Sequence, residues 1–195
     1  MPRISVVLDK AYCADTEDVT GADHLYFAGA GRAKTRDGKI IEEGFTTRPT
    51  RINDGQYGSI VRIDKNTGNV ISGGTVFEQD LPSGCFFDFG MTANDQDASS
   101  DVGKLQAVTR TIERDIARYP YAPIASVVFT VVNSFFALDG DDTLGVASLR
   151  DFEPTAPISV DQMPYGWKHH VWDFKEGGIG WSTWSYRLYF RIGKL

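Results

Sequence analysis

The sequence predicts an antiparallel β-sandwich of seven to nine short strands with one inserted amphipathic helix, formed as a single domain over residues 1–195. Three observations carry that expectation. Aromatic residues make up 12% of the chain, and 20 glycines with eight prolines punctuate it, a mixture that suits many short strands joined by turns. Several runs are rich in β-branched residues, and Ile4 to Cys13 alternates in polarity as a half-buried strand does. Helical period shows in one stretch, Asp101 to Tyr119. There Val102, Leu105, Val108, Ile112, Ile116 and Tyr119 recur at spacings of three and four, and Pro120 stops the pattern.

Taken in order, Ile4 to Cys13 is the first strand, followed by the acidic stretch Ala14 to Asp23. His24 to Ala28 is the second, with Gly29, Gly31 and then Asp37-Gly38 marking turns. Lys39 to Ile52 holds one or two strands interrupted at Pro49, and Gln56 to Ile63 holds another. Asp64 to Gly68 has the composition of a hairpin turn, and Val70 to Leu81 reads as strand with a bend at Gly73-Gly74. Cys85 to Phe89 is a strand that leads into a loop from Met91 to Gly103. Ile124 to Phe136 is the most apolar run and β-branched throughout, so it is expected to supply one or two central strands. A second acidic turn follows at Leu138 to Gly145, with Val146 to Leu149 after it. Residues 151–166 form a proline-bearing loop, and Trp167 to Phe174 and Trp184 to Ile192 are the last strands.

Composition narrows the function classes. A net charge of −6 without a Lys/Arg cluster argues against nucleic acid as partner. No apolar run approaches a membrane span, and the N-terminal residues lack a signal-peptide pattern. Cytoplasmic residence is the default expectation, with export independent of such a signal left open. Two cysteines, Cys13 and Cys85, do not make a disulfide framework. Motifs for a nucleophile elbow, a zinc protease, a dithiol or a P-loop are missing, and His169 and His170, adjacent on a strand, point to opposite faces. A non-enzymatic protein is therefore expected.

The carboxylates gather in three clusters, each just past an expected strand: Asp15, Glu17, Asp18 and Asp23; then Asp95, Asp97 and Asp101; then Asp139, Asp141 and Asp142. Alternating carboxylates on an extended loop suit a hard divalent cation, above all calcium, which takes six to eight oxygen ligands. The plainer alternative for Met91 to Gly103 is a solvated loop that caps the following helix through Ser100 or Asp101. If the three clusters share one end of a sandwich, their mutual repulsion calls for a cation.

Two of these segments resemble the calcium- and phospholipid-binding β-sandwich of the synaptotagmin and protein kinase C type. D-V-T-G-A-D-H-L-Y, residues 18–26, is similar to that family's first acidic loop, with His24 where the family carries a proline. D-Q-D-A-S-S-D-V-G, residues 95–103, looks like its later calcium loop. The end of the chain, Y-R-L-Y-F-R-I, is also similar to related bacterial sandwich proteins of unclear function. The resemblance covers about the first thirty residues and the 85–145 region. It implies a β-sandwich interaction module holding calcium through Asp18, Asp23, Asp95, Asp97 and Asp101, with Asp15 and Glu17 in support. An anionic membrane surface or a protein would be the partner.

Two other expectations stand beside it. Abundant strands and aromatics suit a structural subunit that self-associates into a homo-oligomer or filament. Trp167, Trp172, Trp181 and Trp184 fall close together, and Trp181 and Trp184 in particular could stack on sugar rings in a glycan-binding module.

Overall fold

A computed structural model describes residues 1–16, 23–96, 102–136, 142–175 and 184–195. The first half contains β1 (Arg3–Asp15), β2 (Asp23–Lys34), β3 (Ile40–Thr46), β4 (Thr50–Ile52), β5 (Tyr57–Ser59), β6 (Arg62–Ile63), β7 (Val70–Ile71), β8 (Thr75–Asp80) and β9 (Phe86–Asp95). Two helices follow, α1 (Val102–Arg118) and α2 (Ile124–Phe136). The remainder is β10 (Asp142–Ser148), a single 3-10 turn at Leu149–Asp151, β11 (Ile158–Ser159), β12 (Gly166–Lys175) and β13 (Ser185–Lys194).

The long strand β1 organises one sheet. It pairs antiparallel with β13 along one edge, and with β8 and then β5 along the other; β12 lies beyond β13. The second sheet has the order β10-β9-β2-β3, extended by β4 on β2 and β11 on β9. Alternation turns Ile4, Val6 and Leu8 of β1, and Tyr186, Leu188, Phe190 and Ile192 of β13, toward Phe87, Phe89, Met91 and Ala93 of β9. Each fully buried aromatic or aliphatic side chain of this kind contributes about 1.5–3 kcal/mol. The mainly β, antiparallel sandwich is as the sequence predicts, although among the described residues it is cut into thirteen strands, several of two or three residues.

The second sheet is buried on both faces. Its outer face carries Tyr26, Ala28 and Ala30, which pack in a second core with Leu105, Val108, Ile112 and Ile116 of α1 and Val128, Val131 and Val132 of α2. The α1 stripe is the one expected, with Val102 and Tyr119 at its ends exposed.

Three expectations are corrected. Ile124–Phe136 is a helix, not a central strand. Its buried residues, Ile124, Ala125, Val128, Val131, Val132 and Phe136, follow a helical period, while Ser126, Phe129 and Thr130 face out. Gly90 on β9 is the seat for its first turn: a Cβ there would lie 2.6 Å from the Ala125 nitrogen. Met91 to Asp95 is not loop but the second half of β9, paired with β2 and β10. Gly29 and Gly31 are not turn residues, since β2 runs through them; a Cβ at Gly31 would come within 2.3 Å of the Phe77 ring. Cys13 and Cys85 are both buried and are not joined to each other. Among the described residues no helix is long and apolar enough to cross a membrane.

Candidate functional site

Strand register brings the acidic segments to one end of the sandwich. In the first sheet, Asp15 at the end of β1 lies opposite Ser185 at the start of β13, which in turn faces Lys175 at the end of β12. In the second sheet, Asp95 at the end of β9 lies opposite Leu25 on one side and Asp142, the first residue of β10, on the other. Asp23 opens β2 two residues before Leu25. The two sheet ends coincide, because Phe27 of β2 meets Phe174 of β12 edge-on at 6.4 Å. Gly145 of β10 likewise leaves room for the ring of Trp172 and the Cβ of Phe174. Asp15, Asp23, Asp95 and Asp142 thus occupy four strand termini at a single pole.

Of the candidate ligands, Asp15, Asp23 and Asp95 stand at this pole, while Glu17, Asp18, Asp97 and Asp101 lie outside the described residues, as do Asp139 and Asp141. Asp95 is buried, and its Oδ1 accepts the backbone N–H of His24 and of Gln96, each at 2.9 Å. The carboxylate therefore closes the end of the β2–β9 ladder. Beneath it the Asn94 side-chain amide donates to the Thr92 hydroxyl at 3.0 Å. The Thr143 hydroxyl lies 3.2 Å from the side-chain carbonyl oxygens of both Asn94 and Asn133, which ties β9 and β10 to α2.

A further carboxylate reaches the same pole without having been suspected from the sequence. Asp54, exposed in the β4–β5 connection, accepts the Thr16 N–H at 2.8 Å, and Gly55 N–H donates to the Cys13 carbonyl at 2.9 Å. Its signal in the sequence is the turn N-D-G, which reads as a connector and not as a ligand. Among the described residues no three carboxylate, histidine or cysteine groups form a metal cage. The described strand ends therefore bring acidic residues to one pole without forming a ligand set among themselves.

The C-terminal aromatics divide. Trp184 is half-buried against the inter-sheet core, with ring centroids 6.3 Å from Phe174 and 6.2 Å from Tyr186, so it is less open to a ligand than the sequence suggested. Trp181 lies outside the described residues. Among the described C-terminal residues the exposed rings are Tyr165 and Trp167, on a cleft of about 360 Å³ whose wall includes Gln162, Glu153 and His170. His170 is buried and stacks on Phe190 at 5.1 Å, whereas His169 is exposed, as expected for neighbours on a strand. Burial pushes the His170 pKa down, the Glu153 carboxylate 3.6 Å from Nε2 opposing that shift.

No family model matches the chain, and no curated protein matches it. Among solved structures, a domain of plant extended synaptotagmin 1 is similar, with a TM-score of 0.41 and 8% identity over 99% of this chain and 93% of that one. A likeness of that size gives no ground for transferring a ligand or partner.

Proposed function

We propose that the chain is a non-enzymatic interaction module that binds a divalent cation, calcium by preference, at the acidic pole of its sandwich. The observation that supports this reading is the gathering of Asp15, Asp23, Asp95 and Asp142 at neighbouring strand termini, with Asp54 beside them. Carboxylates held at one end of a rigid scaffold repel one another, and a hard cation relieves that repulsion while leaving coordination positions for a partner's oxygens. Asp18, Asp97, Asp101 and Glu17 would complete the ligand set. The partner on this reading is an anionic surface bridged through the cation, and vesicles containing phosphatidylserine test it: flotation with the vesicles in calcium and not in EDTA is the expected result. Calcium-dependent stabilisation without flotation would point to a protein partner.

A second reading rests on the cleft beside β12. Tyr165 and Trp167 offer exposed rings next to the polar groups of Gln162 and Glu153, an arrangement suited to stacking and hydrogen bonding with a sugar. Trp167→Ala would then abolish glycan-array binding that persists in EDTA, whereas no glycan binding by the unaltered protein would dismiss the reading.

A further inference from the structure

At the opposite end of the second sheet from the acidic pole, a cavity of about 570 Å³ opens beneath the α1–α2 turn. β2 and β9 run antiparallel, so their far ends, Arg32 and Lys34 on one strand and Phe86 and Asp88 on the other, meet here. Among the described residues three cations line the cavity, Arg32, Lys34 and Arg150, against one carboxylate, Asp88. This is an unusual concentration in a chain whose net charge is −6.

Each cation is held in place by a contact that leaves donors over. Arg32 is buried, donates from Nη1 to the Ala122 carbonyl at 3.1 Å, and pairs through Nη2 with Asp88 at 3.5 Å. Arg150 donates from Nη2 to the Ala156 carbonyl at 3.1 Å. A guanidinium has five N–H donors in a planar fork, so backbone anchoring orients the group without exhausting it. Lys34 lies over the Tyr121 ring, its Nζ 4.2 Å from the centroid. Asp88, paired with Arg32 and accepting the Phe89 N–H through Oδ1 at 2.9 Å, is one carboxylate against three cations; burial raises its pKa, while that N–H, Arg32 and Arg150 oppose the shift. The remaining walls are mainly apolar, with Ser148 among them. Tyr121 is 84% exposed and Phe86 50% exposed, two open rings on a cavity whose other surfaces are largely carbon. The first turn of α2 also reaches the wall, adding the positive end of its dipole.

We propose that this cavity binds a small soluble phosphate monoester carried on a flat or apolar group, the phosphate between Arg32 and Arg150 and the group against Tyr121 and Phe86. The site is independent of the acidic pole and needs no divalent cation.

Phenyl phosphate is the probe, titrated calorimetrically into the whole protein in EDTA, with phenol and inorganic phosphate as its two halves. Saturable binding of phenyl phosphate, tighter than either half, is expected. Loss of one charge-assisted contact should weaken it by about tenfold or more, so Arg150→Gln and Lys34→Gln should each do so. Tyr121→Ala, at an exposed ring that the core does not use, should weaken phenyl phosphate more than inorganic phosphate and keeps the test valid if Arg150→Gln fails to fold. No heat from phenyl phosphate at millimolar concentration, or affinity unchanged in Lys34→Gln and Tyr121→Ala, would overturn the proposal. So would retention in EDTA on phosphatidic acid vesicles that Arg150→Gln abolishes, because the cavity would then take a lipid headgroup and not a soluble ester.

Discussion

The Oδ1 of Asp95, at the end of β9, accepts the backbone N–H of His24 near the start of β2 at 2.9 Å. A carboxylate suspected as a cation ligand is thereby also a fastener of the strand ends that present the other acids. Asp95→Ala should lower stability by about 1–3 kcal/mol in EDTA, the cost of leaving the buried Gln96 N–H and the partly buried His24 N–H without an acceptor. Urea unfolding measures it. A substitution that is silent in EDTA and costly only with calcium would assign Asp95 to the cation alone.

Gly90 is the seat of α2, where a Cβ would meet the Ala125 backbone nitrogen at 2.6 Å and its Cα at 3.0 Å. Backbone cannot swing aside as a side chain can, so Gly90→Ala should destabilise the fold by about 1–3 kcal/mol. The same substitution at Gly73, where nothing lies within 4 Å, meets no such obstacle, although its positive φ of 83° adds local strain. Chemical denaturation of the two variants separates packing from backbone conformation.

How far the sequence could be read differs between elements for physical reasons. β13 buries every second residue from Tyr186 to Ile192 and β1 alternates in its second half, so alternation announces them, and the α1 stripe is equally plain; Ile4 to Leu8 of β1 is buried on both faces. Ile124–Phe136 misleads because Val, Ile and Phe favour strands on propensity, while burial against Ala28 and Ala30 selects the helical period. The polar side chains at Ser126, Thr130 and Ser134, spaced by four, are the trace of that period in the sequence. Thr92 to Asp95 resembles loop because Asn and Asp are poor strand formers, yet Asn94 is buried with Thr92 and Thr143 as partners. Asp15, Asp23 and Asp95 stand out in the sequence by their clustering just past strand runs. Asp54 does not, nor does the cavity that joins Arg32, Asp88 and Arg150, since only the fold brings such distant positions together.

His170 couples stability to pH. Burial holds its pKa below the ordinary value of 6.5, so the folded protein keeps the ring neutral where the unfolded chain protonates it. Its contribution is present in full above 6.5 and is lost as pH falls from there through the depressed folded value. Glu153 opposes the shift, while Lys168 and His169 reinforce it. His170→Phe preserves a ring against Phe190 and should flatten this part of the stability profile, measured by urea unfolding between about pH 7.5 and 5. An unchanged slope would assign the pH dependence to other groups.

The acidic pole is tested most directly by melting the protein across a calcium titration, alongside the Asp23→Asn, Asp97→Asn and Asp101→Asn triple variant. A cation bound only by the folded state adds about 2.7 kcal/mol at a hundredfold excess over its dissociation constant. For a domain of this size that amounts to a rise of roughly 5–10 °C, saturating with concentration. The proposal predicts such a rise for the unaltered protein, reversed by EDTA and much reduced in the triple variant. A melting temperature that stays flat to millimolar calcium, or that rises equally in the triple variant, would contradict it.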